Sequence, residues 1–359
     1  MNIARITVTA AAAVLFAAAP VLAQRQTYDY RMADSVALAA PANAASVEEI
    51  AAKVTRGLHS DRDKARAIYR WITHNIEYDA SAFFGSRFMV PVQTPPAVLR
   101  RKRAVCDGFS LLFMAMSHAA GLEVGEVSGY AKAYSGDPRN PVSRQRHAWN
   151  VVRVDGAWQL VDASWGAGDI IGRDFVRRFR DFYFFPDPEK FIYSHMAEDP
   201  AMQLLAHPVS VSQFDRMPAL QRDFWELGFS PADVRNASAA GREFVGVFPV
   251  AQHPIRVTAA PLAARLVPGA MHRFRIEAPG ATEVFAVSGT QWQPLAPAGE
   301  TAAGGAAQAS APGTAFTGDA ALTGPELVLL VRYPEAPAGI VVLRYGSAAA
   351  TARRGRRGE

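Results

Sequence analysis

Hydrophobic spacing in the first third of the chain predicts two helices. Apolar residues recur three or four positions apart from Ala65 to Ile76, and Ser60 stands before them where a helix cap is expected. We therefore expect an amphipathic helix over residues 61–76. A second helix, over residues 106–120, is apolar on nearly every side, which is typical of a buried helix.

A β-hairpin is the clearest feature of the middle of the chain. Residues 124–134, 147–154 and 157–162 have the composition of strands, and Asp155-Gly156 between the last two is a strong signal for a two-residue type I′ turn. This turn fixes the register of the two strands around it, so that each residue has a predicted partner across the hairpin.

The predicted register brings a histidine and an aspartate together. Asp162 lies opposite Trp149, and His147, two residues before Trp149, shares its face because side chains alternate along a strand. Diagonal cross-strand neighbours lie ~7–8 Å apart by backbone, within reach of an imidazole and a carboxylate. The sequence therefore predicts a hydrogen bond between His147 and Asp162. The other histidines have no partner that can be read from the sequence.

The remaining segments differ from one another in composition and in hydrophobic pattern. Residues 24–47 have no clear period and are interpreted as a lead-in, while residues 175–205 are aromatic-rich and then helical. Short β-like runs punctuated by Pro and Gly begin near residue 252. The predicted organisation after the lead-in is a catalytic domain over 48–205, a helical connector over 206–251, an immunoglobulin-like β-sandwich over 252–348 with a low-complexity, loop-like insert at 294–325, and a disordered basic tail over 349–359.

The first 23 residues have the build of an export signal. Arg5 precedes an apolar run over residues 6–19, and small residues before Gln24 predict cleavage after Ala23. The run is shorter than the ~20 residues that span a bilayer, and no later stretch is long and apolar enough to do so. We expect a periplasmic or secreted protein with no membrane span after cleavage.

The charge of the chain does not favour a nucleic-acid partner. The formal net charge is +5, but the leader carries +1 and the last eleven residues carry +3, which leaves +1 for residues 24–348. A nearly neutral folded region lacks the electrostatic footprint that a polyphosphate partner requires.

The single cysteine is the candidate nucleophile. One cysteine excludes an internal disulfide and a thiolate zinc cluster, and no metal or cofactor is expected. Cys106 stands at the predicted start of a buried helix, where free N–H groups and the helix dipole favour an anion and hence a thiolate. Most free cysteines are packing residues, so position alone does not decide its role.

Several short segments, in this order, resemble the transglutaminase-like proteins, and most of all the branch that contains kyphoscoliosis peptidase and its bacterial relatives. The segments are Ile68–Asp79 (IYRWITHNIEYD), Val105–Ser110 (VCDGFS), Val127–Lys132 (VSGYAK), His147–Asn150 (HAWN), Leu160–Gly168 (LVDASWGAG), Phe184–Pro186 (FFP) and Phe191–His195 (FIYSH) running on to Gln203–Leu205 (QLL). The resemblance covers roughly residues 48–230. It implies an α+β fold with a papain-like core.

The resemblance also implies a Cys–His–Asp triad that acts through a thioester. Cys106 would be the nucleophile, His147 the general base and acid, and Asp162 the carboxylate that orients His147. The backbone N–H of Cys106 would be one oxyanion donor, with Gln93 and Trp71 as weak candidates for the second.

Trp149 and Trp165 flank these residues and could line an acyl-group cleft or pack in the core. The crosslinking branch has Trp directly after the cysteine, whereas this chain has Asp107 and no acidic calcium loop. Calcium-dependent crosslinking is therefore disfavoured.

The expected function is that of an exported cysteine peptidase, amidase or acyltransferase, with hydrolysis and acyl transfer both open. The substrate would be a protein or peptide, with envelope proteins and cell-wall peptides as candidates. The alternative is a catalytically silent scaffold that binds protein through the same fold. Motifs of serine hydrolases, nucleotide-binding proteins and zinc proteases do not occur in the sequence.

Overall fold

The structure is a computed structural model that describes residues 28–85, 90–132, 145–237, 243–250, 253–298 and 315–348. The predicted export signal and basic tail lie outside these residues. The α-helices of the described part are α1 (Arg31–Ala39), α2 (Val47–Val54), α3 (Asp61–Asn75), α4 (Ala80–Phe84), α5 (Pro95–Arg101), α6 (Cys106–Ala119), α7 (Ala163–Ala167), α8 (Pro188–Phe191), α9 (Val211–Arg216), α10 (Arg222–Glu226) and α11 (Pro231–Ala237).

The strands of the described part are β1 (Glu77–Tyr78), β2 (Arg103–Ala104), β3 (Val124–Ala131), β4 (Arg146–Val154), β5 (Ala157–Val161), β6 (Gly168–Ile171), β7 (Asp174–Arg177), β8 (His195–Ala197), β9 (Gly246–Val247), β10 (Arg256–Ala259), β11 (Arg265–Leu266), β12 (Met271–Glu277), β13 (Glu283–Ser288), β14 (Gln291–Pro297), β15 (Ala315–Ala321), β16 (Glu326–Tyr333) and β17 (Ala336–Ser347).

The two predicted helices of the N-terminal half are present as α3 and α6. Ser60 caps α3 by accepting a hydrogen bond from the Asp63 N–H at 3.0 Å, which satisfies one of the free donors of the first turn. Helix α6 begins at Cys106 and is buried along most of its length, as its apolar sequence predicts. Both helices pack into one hydrophobic core with α1, α2 and α5.

The lead-in is more ordered than its sequence suggests, because residues 31–39 form helix α1. Ala33 and Ala37, four residues apart, are buried against the core. Asp34 forms an ion pair at 2.7 Å with Arg66 of α3, whose guanidinium is almost fully buried. A long-range ion pair and two alanines leave little periodicity in the sequence, which explains why the sequence pattern does not indicate this helix.

Four antiparallel strands in the order β5-β4-β3-β8 form the sheet that carries the hairpin. Asn150 pairs with Val161 and Val151 with Leu160, which is the predicted register. Asp155 and Gly156 have φ values of 53° and 77°, the two left-handed residues that a type I′ turn requires. The sheet is buried on both faces.

A buried polar cluster fastens α6 to β4. The Asn150 amide donates to the Ser110 hydroxyl at 3.1 Å and to the Ser110 carbonyl at 3.2 Å, and the Ser110 hydroxyl donates to the Trp149 carbonyl at 3.1 Å. Both side chains are almost fully buried. Since Ser110 lies one helical turn after Cys106, this cluster sets the helix start relative to the strand that carries His147.

Residues 175–205 contain a strand that the sequence interpretation as a helical segment misses. His195, Met196 and Ala197 form β8, which pairs with Ala131, Tyr130 and Gly129 of β3. The pairing is non-local, so no local pattern in these three residues indicates it. Beyond this strand, the Lys132 ammonium docks the first connector helix by donating to the Phe214 carbonyl at 2.5 Å and the Met217 carbonyl at 2.7 Å.

The C-terminal part of the chain is a large antiparallel sheet region. Its strands follow the order β10-β12-β15-β14-β13-β16-β17-β11, with β9 paired to β17. Phe214 and Phe224 of the connector share a core with Phe274 and Val284 of these strands. The immunoglobulin-like topology and the domain boundaries stay predictions.

The proposed loop over 294–325 is wrong at both of its ends. Residues 294–297 complete β14, and residues 315–321 form β15, which pairs with β12 over seven positions. Small residues there pair through their backbones, and Ala315, Phe316 and Ala320 are buried. Residues 299–314 lie outside the described part.

Within the described residues, none of the helices has the length and apolar character needed to cross a membrane.

Candidate active site

Cys106 is the first residue of α6 and its side chain is partly exposed. The side-chain amide oxygen Oε1 of Gln93 accepts from the Val105 N–H at 3.1 Å, which holds the chain just before the helix start. Gly108, in the first turn, is required by close packing, because a Cβ there would lie 2.3 Å from the Gln93 amide oxygen and 2.7 Å from the Ala104 Cβ. The Cys106 Sγ lies 3.8 Å from a carboxylate oxygen of Asp107.

The predicted contact between His147 and Asp162 is present and buried. His147 Nε2 donates to Asp162 Oδ2 at 2.8 Å, and both side chains are at least 94% buried. The other oxygen, Oδ1, caps α7 by accepting from the Ser164 N–H at 2.8 Å and the Trp165 N–H at 3.0 Å. Asp162 is thus both a helix cap and the partner of His147, and the cap fixes the direction of its carboxylate.

The charges of the pair stabilise each other. Burial alone would lower the pKa of His147, but the charge and hydrogen bond of Asp162, together with an interaction with Cys106, raise it from 6.5 to about 10. Burial alone would raise the pKa of Asp162, but the charge and hydrogen bond of His147 hold it well below its usual range. The pair is therefore an imidazolium and a carboxylate at neutral pH.

Cys106 also contributes to the raised pKa of His147. Since Nε2 donates to Asp162, Nδ1 is the nitrogen available to the thiol. This arrangement suits proton transfer between sulfur and imidazole, and an imidazolium beside a thiolate at a helix start is a known way to make a reactive cysteine.

A second histidine, which the sequence interpretation leaves without a partner, also contacts the aspartate. His195 Nε2 donates to the same Asp162 Oδ2 at 3.1 Å, and the His195 side chain is fully buried. Burial lowers the pKa of His195 from 6.5 to about 4, so its ring is neutral at neutral pH. The only local signal is a polar Ser194-His195 pair inside an aromatic stretch, and β8 must pair with β3 to bring the ring to Asp162.

Aromatic rings enclose the two histidines. Trp149 and Trp165 each lie with ring centroids 5.8 Å from the His147 ring, and Trp165 lies 4.4 Å from the His195 ring. Trp149 is 1% exposed, so it packs in the core and does not line an open cleft. Trp165 is partly exposed and is the one of this pair that a substrate can reach.

The two candidates for a second oxyanion donor occupy different environments. Trp71 is fully buried and its indole N–H donates to the Pro41 carbonyl at 3.1 Å, so it is a packing residue. Gln93 lies beside the start of α6, with its amide N–H donating to the Pro91 carbonyl at 2.6 Å. Gln93 has one further side-chain N–H, so Gln93 and not Trp71 stays the candidate for the second oxyanion donor.

His147, Asp162 and His195 also have the spacing of a metal-binding group within the described residues, since their ligand atoms lie within 4.8 Å of one another. Each nitrogen–oxygen contact among them is already a hydrogen bond. The hydrogen bonds account for the cluster, and no ligand role is assigned to it.

The segment that carries Cys106, His147 and Asp162 matches a known superfamily. Residues 48–163 match the model of the transglutaminase-like superfamily, which places this segment in that superfamily. The expectation drawn from the sequence motifs is thereby confirmed.

The relatives point to one branch of the superfamily. The chain is 33% identical over 189 residues to kyphoscoliosis peptidase of Homo sapiens, a match that covers 52% of this chain and 28% of that protein. It is 31% identical over 218 residues to the Lim and transglutaminase domain protein ltd-1 of Caenorhabditis elegans, covering 56% of this chain and 29% of that one. The chain thus spans less than a third of the curated relatives it matches.

Solved structures match this chain at low similarity. A crystal structure of a TGase shares 20% identity with a TM-score of 0.27, and the match covers 45% of this chain and 38% of that chain.

Proposed function

We propose that this chain is a thiol-dependent enzyme that hydrolyses or transfers acyl groups at peptide or amide bonds, through a thioester on Cys106. The observation that carries the proposal is the buried His147–Asp162 pair at 2.8 Å, with Cys106 at a helix start as the other partner of His147. Packing alone does not require a charged imidazole between a buried carboxylate and a partly exposed thiol, because burial of an ion pair carries a large desolvation cost.

The first half of the proposed reaction forms the thioester. In the resting site that we propose, the proton of Cys106 already lies on His147 Nδ1, and the thiolate sulfur attacks the carbonyl carbon of the scissile amide. The Cys106 N–H at the free end of α6 stabilises the oxyanion that develops. The imidazolium then gives its proton to the leaving amine, the C–N bond breaks, and an acyl-thioester remains on Cys106.

The second half returns the free thiol. Water or a primary amine gives a proton to the neutral His147 and attacks the thioester carbonyl, the C–S bond breaks, the acid or a new amide is released, and the Cys106 thiolate is restored beside the His147 imidazolium. Asp162 stays ionised throughout and keeps the His147 Nε2–H in place. The geometry serves both acceptors equally, so the choice between hydrolysis and transfer lies in which acceptor reaches the site.

The substrate class proposed is protein or peptide. The kinship with kyphoscoliosis peptidase supports this class, and the partly exposed Trp165 beside His147 offers an apolar contact for a side chain. We also propose that the chain is exported through its leader and works in the periplasm or outside the cell, which makes envelope proteins and cell-wall peptides the first substrates to test. Asp107 in place of the Trp of crosslinking enzymes argues against calcium-dependent crosslinking.

The test is a peptide library incubated with the purified protein, with and without a primary-amine donor, and analysed by mass spectrometry. Cleaved products without the donor indicate hydrolysis, and amine adducts indicate transfer. Cys106→Ala removes either activity while keeping the fold, because the side chain is small and partly exposed. If neither product forms with a broad library, the catalytically silent scaffold replaces the enzyme proposal.

A further inference from the structure

The carboxylate that orients His147 is held by a second imidazole. Asp162 Oδ2 accepts from His147 at 2.8 Å and from His195 at 3.1 Å, and the centroids of the two rings lie 5.2 Å apart. The sheet explains how they meet. Gly129 of β3 pairs with His147 on one side, and Ala131, two residues on, pairs with His195 on the other, so both rings point to the same face of the sheet.

The middle strand leaves room for this arrangement. β4 and β8 are both hydrogen-bonded to β3, so they are separated by about two strand spacings, or ~10 Å. At the crossing point β3 carries only Gly129 and Ala131 on this face. A Cβ at Gly129 would lie 2.5 Å from the Trp149 ring and 2.2 Å from the Met196 carbonyl oxygen. A larger residue there would displace the aromatic packing around both histidines.

The hydrogen bonds define the tautomer of His195. An ionised carboxylate only accepts, so His195 Nε2 carries the proton. Nδ1 of the neutral ring is then an acceptor, and the Ser194 hydroxyl donates to it at 2.8 Å. The ring is further fixed by stacking on Phe191, with centroids 4.0 Å apart and an interplanar angle of 11°.

We propose that His195 is a positioning residue, which donates to Asp162 Oδ2 and keeps that oxygen directed at His147 Nε2. The inference rests on the proposed function, since it concerns the same triad. A neutral His195 suits this positioning role, because a second cation with its ring centroid 5.2 Å from that of His147 would destabilise the imidazolium that Asp162 stabilises. The titratable groups that face His195 are Asp162, His147 and the buried Tyr183, whose pKa burial raises well above 10.

The geometry gives a matched pair of variants. In His195→Gln the side-chain nitrogen can occupy about the place of Nε2 and keep the bond to Asp162, whereas in His195→Asn the amide is too short to reach it. Neither introduced amide side chain titrates. The readout is the rate of Cys106 alkylation by iodoacetamide between pH 5 and 9, with folding checked by circular dichroism. The control is His253→Gln, because His253 stacks on Tyr333, far along the chain from His195.

The expected result is a difference between the two amides. His195→Asn should react at least tenfold more slowly than the natural protein at pH 7, with its rate still rising toward pH 9, while His195→Gln and His253→Gln stay within threefold. A folded His195→Asn that reacts like the natural protein overturns the inference.

Two further outcomes keep the conclusions separate. If His195→Asn does not fold, Ser194→Ala decides, because loss of the Nδ1 donor frees the tautomer and should slow alkylation several-fold; an unchanged rate there contradicts the positioning role. If the natural protein itself alkylates as an ordinary thiol, with a rate that climbs steeply through pH 8 to 9, the proposed function fails instead.

Discussion

Replacement of Asp162 by asparagine should remove most of the reactivity of Cys106. The carbonyl oxygen of the introduced amide can still accept the caps from Ser164 and Trp165, but its nitrogen would face the N–H groups of His147 and His195. The N–H groups of His147 and His195 would then point at a third donor, the amide nitrogen of the introduced asparagine. The negative charge that stabilises the His147 imidazolium would also be absent. We expect the orientation and the charge of His147 both to be lost.

The structure sets the size of the effect. The pKa of His147 rises from 6.5 to about 10, a difference that corresponds to roughly 5 kcal/mol. Part of this comes from Cys106 itself. A loss of about 3 kcal/mol of this stabilisation lowers the population of the His147 imidazolium by about a hundredfold. The free energy of unfolding should also fall by roughly 3 kcal/mol, since the imidazoles lose their buried partner.

The assay is alkylation by iodoacetamide, and the single cysteine of the chain makes every adduct unambiguous. Asp162→Asn should react at least fiftyfold more slowly than the natural protein at pH 7. Asp155→Asn, on the same hairpin, is the matched control, because Asp155 is exposed and pairs with Arg62 at the surface. A folded Asp162→Asn that reacts within threefold of the control at pH 7 would show that Asp162 does not control the reactivity of Cys106.

Three further predictions follow from neighbouring contacts. The free energy of unfolding should fall by about 3 kcal/mol from pH 6.5 to 4, because His195 is protonated in the unfolded chain over this range, whereas in the folded protein its pKa is lowered to about 4. Urea titrations should show a shallower pH dependence of this free energy in His195→Gln, and equal pH dependence in the two proteins contradicts this. Asp107→Asn should speed Cys106 alkylation up to about fivefold at pH 7, since a carboxylate 3.8 Å from the sulfur opposes the thiolate by ~1 kcal/mol; an unchanged rate shows that this charge is screened. Asn150→Ala should cost about 3 kcal/mol in urea unfolding, and adding Ser110→Ala should cost little more, because the two share one cluster; additive losses contradict a shared cluster.

The local part of the site could be predicted from the sequence. A two-residue turn determines the register of its own strands, so Asp155-Gly156 was enough to bring His147 and Asp162 together. Cys106 at the start of α6 followed from an apolar run with a clear beginning. In both cases the information lies within about twenty residues of chain.

The non-local part could not be predicted in the same way. His195 reaches Asp162 only because β8 adds to the far side of β3, and the sequence around His195 does not specify which strand it joins. Helix α1 depends on the pairing of Asp34 with Arg66, thirty-two residues away. β15 is built from small residues whose strand character comes from backbone pairing with β12. Such contacts are decided by the assembled fold, which local periodicity does not record.

In the proposed mechanism, Cys106 carries an acyl group during turnover. The direct measurement is intact-mass spectrometry of the protein, quenched in acid within seconds of mixing with its best peptide substrate. We expect an adduct on Cys106 that hydroxylamine removes, as expected of a thioester, and that Cys106→Ala does not form. Product formation without any such adduct, or turnover that persists in Cys106→Ala, would contradict it.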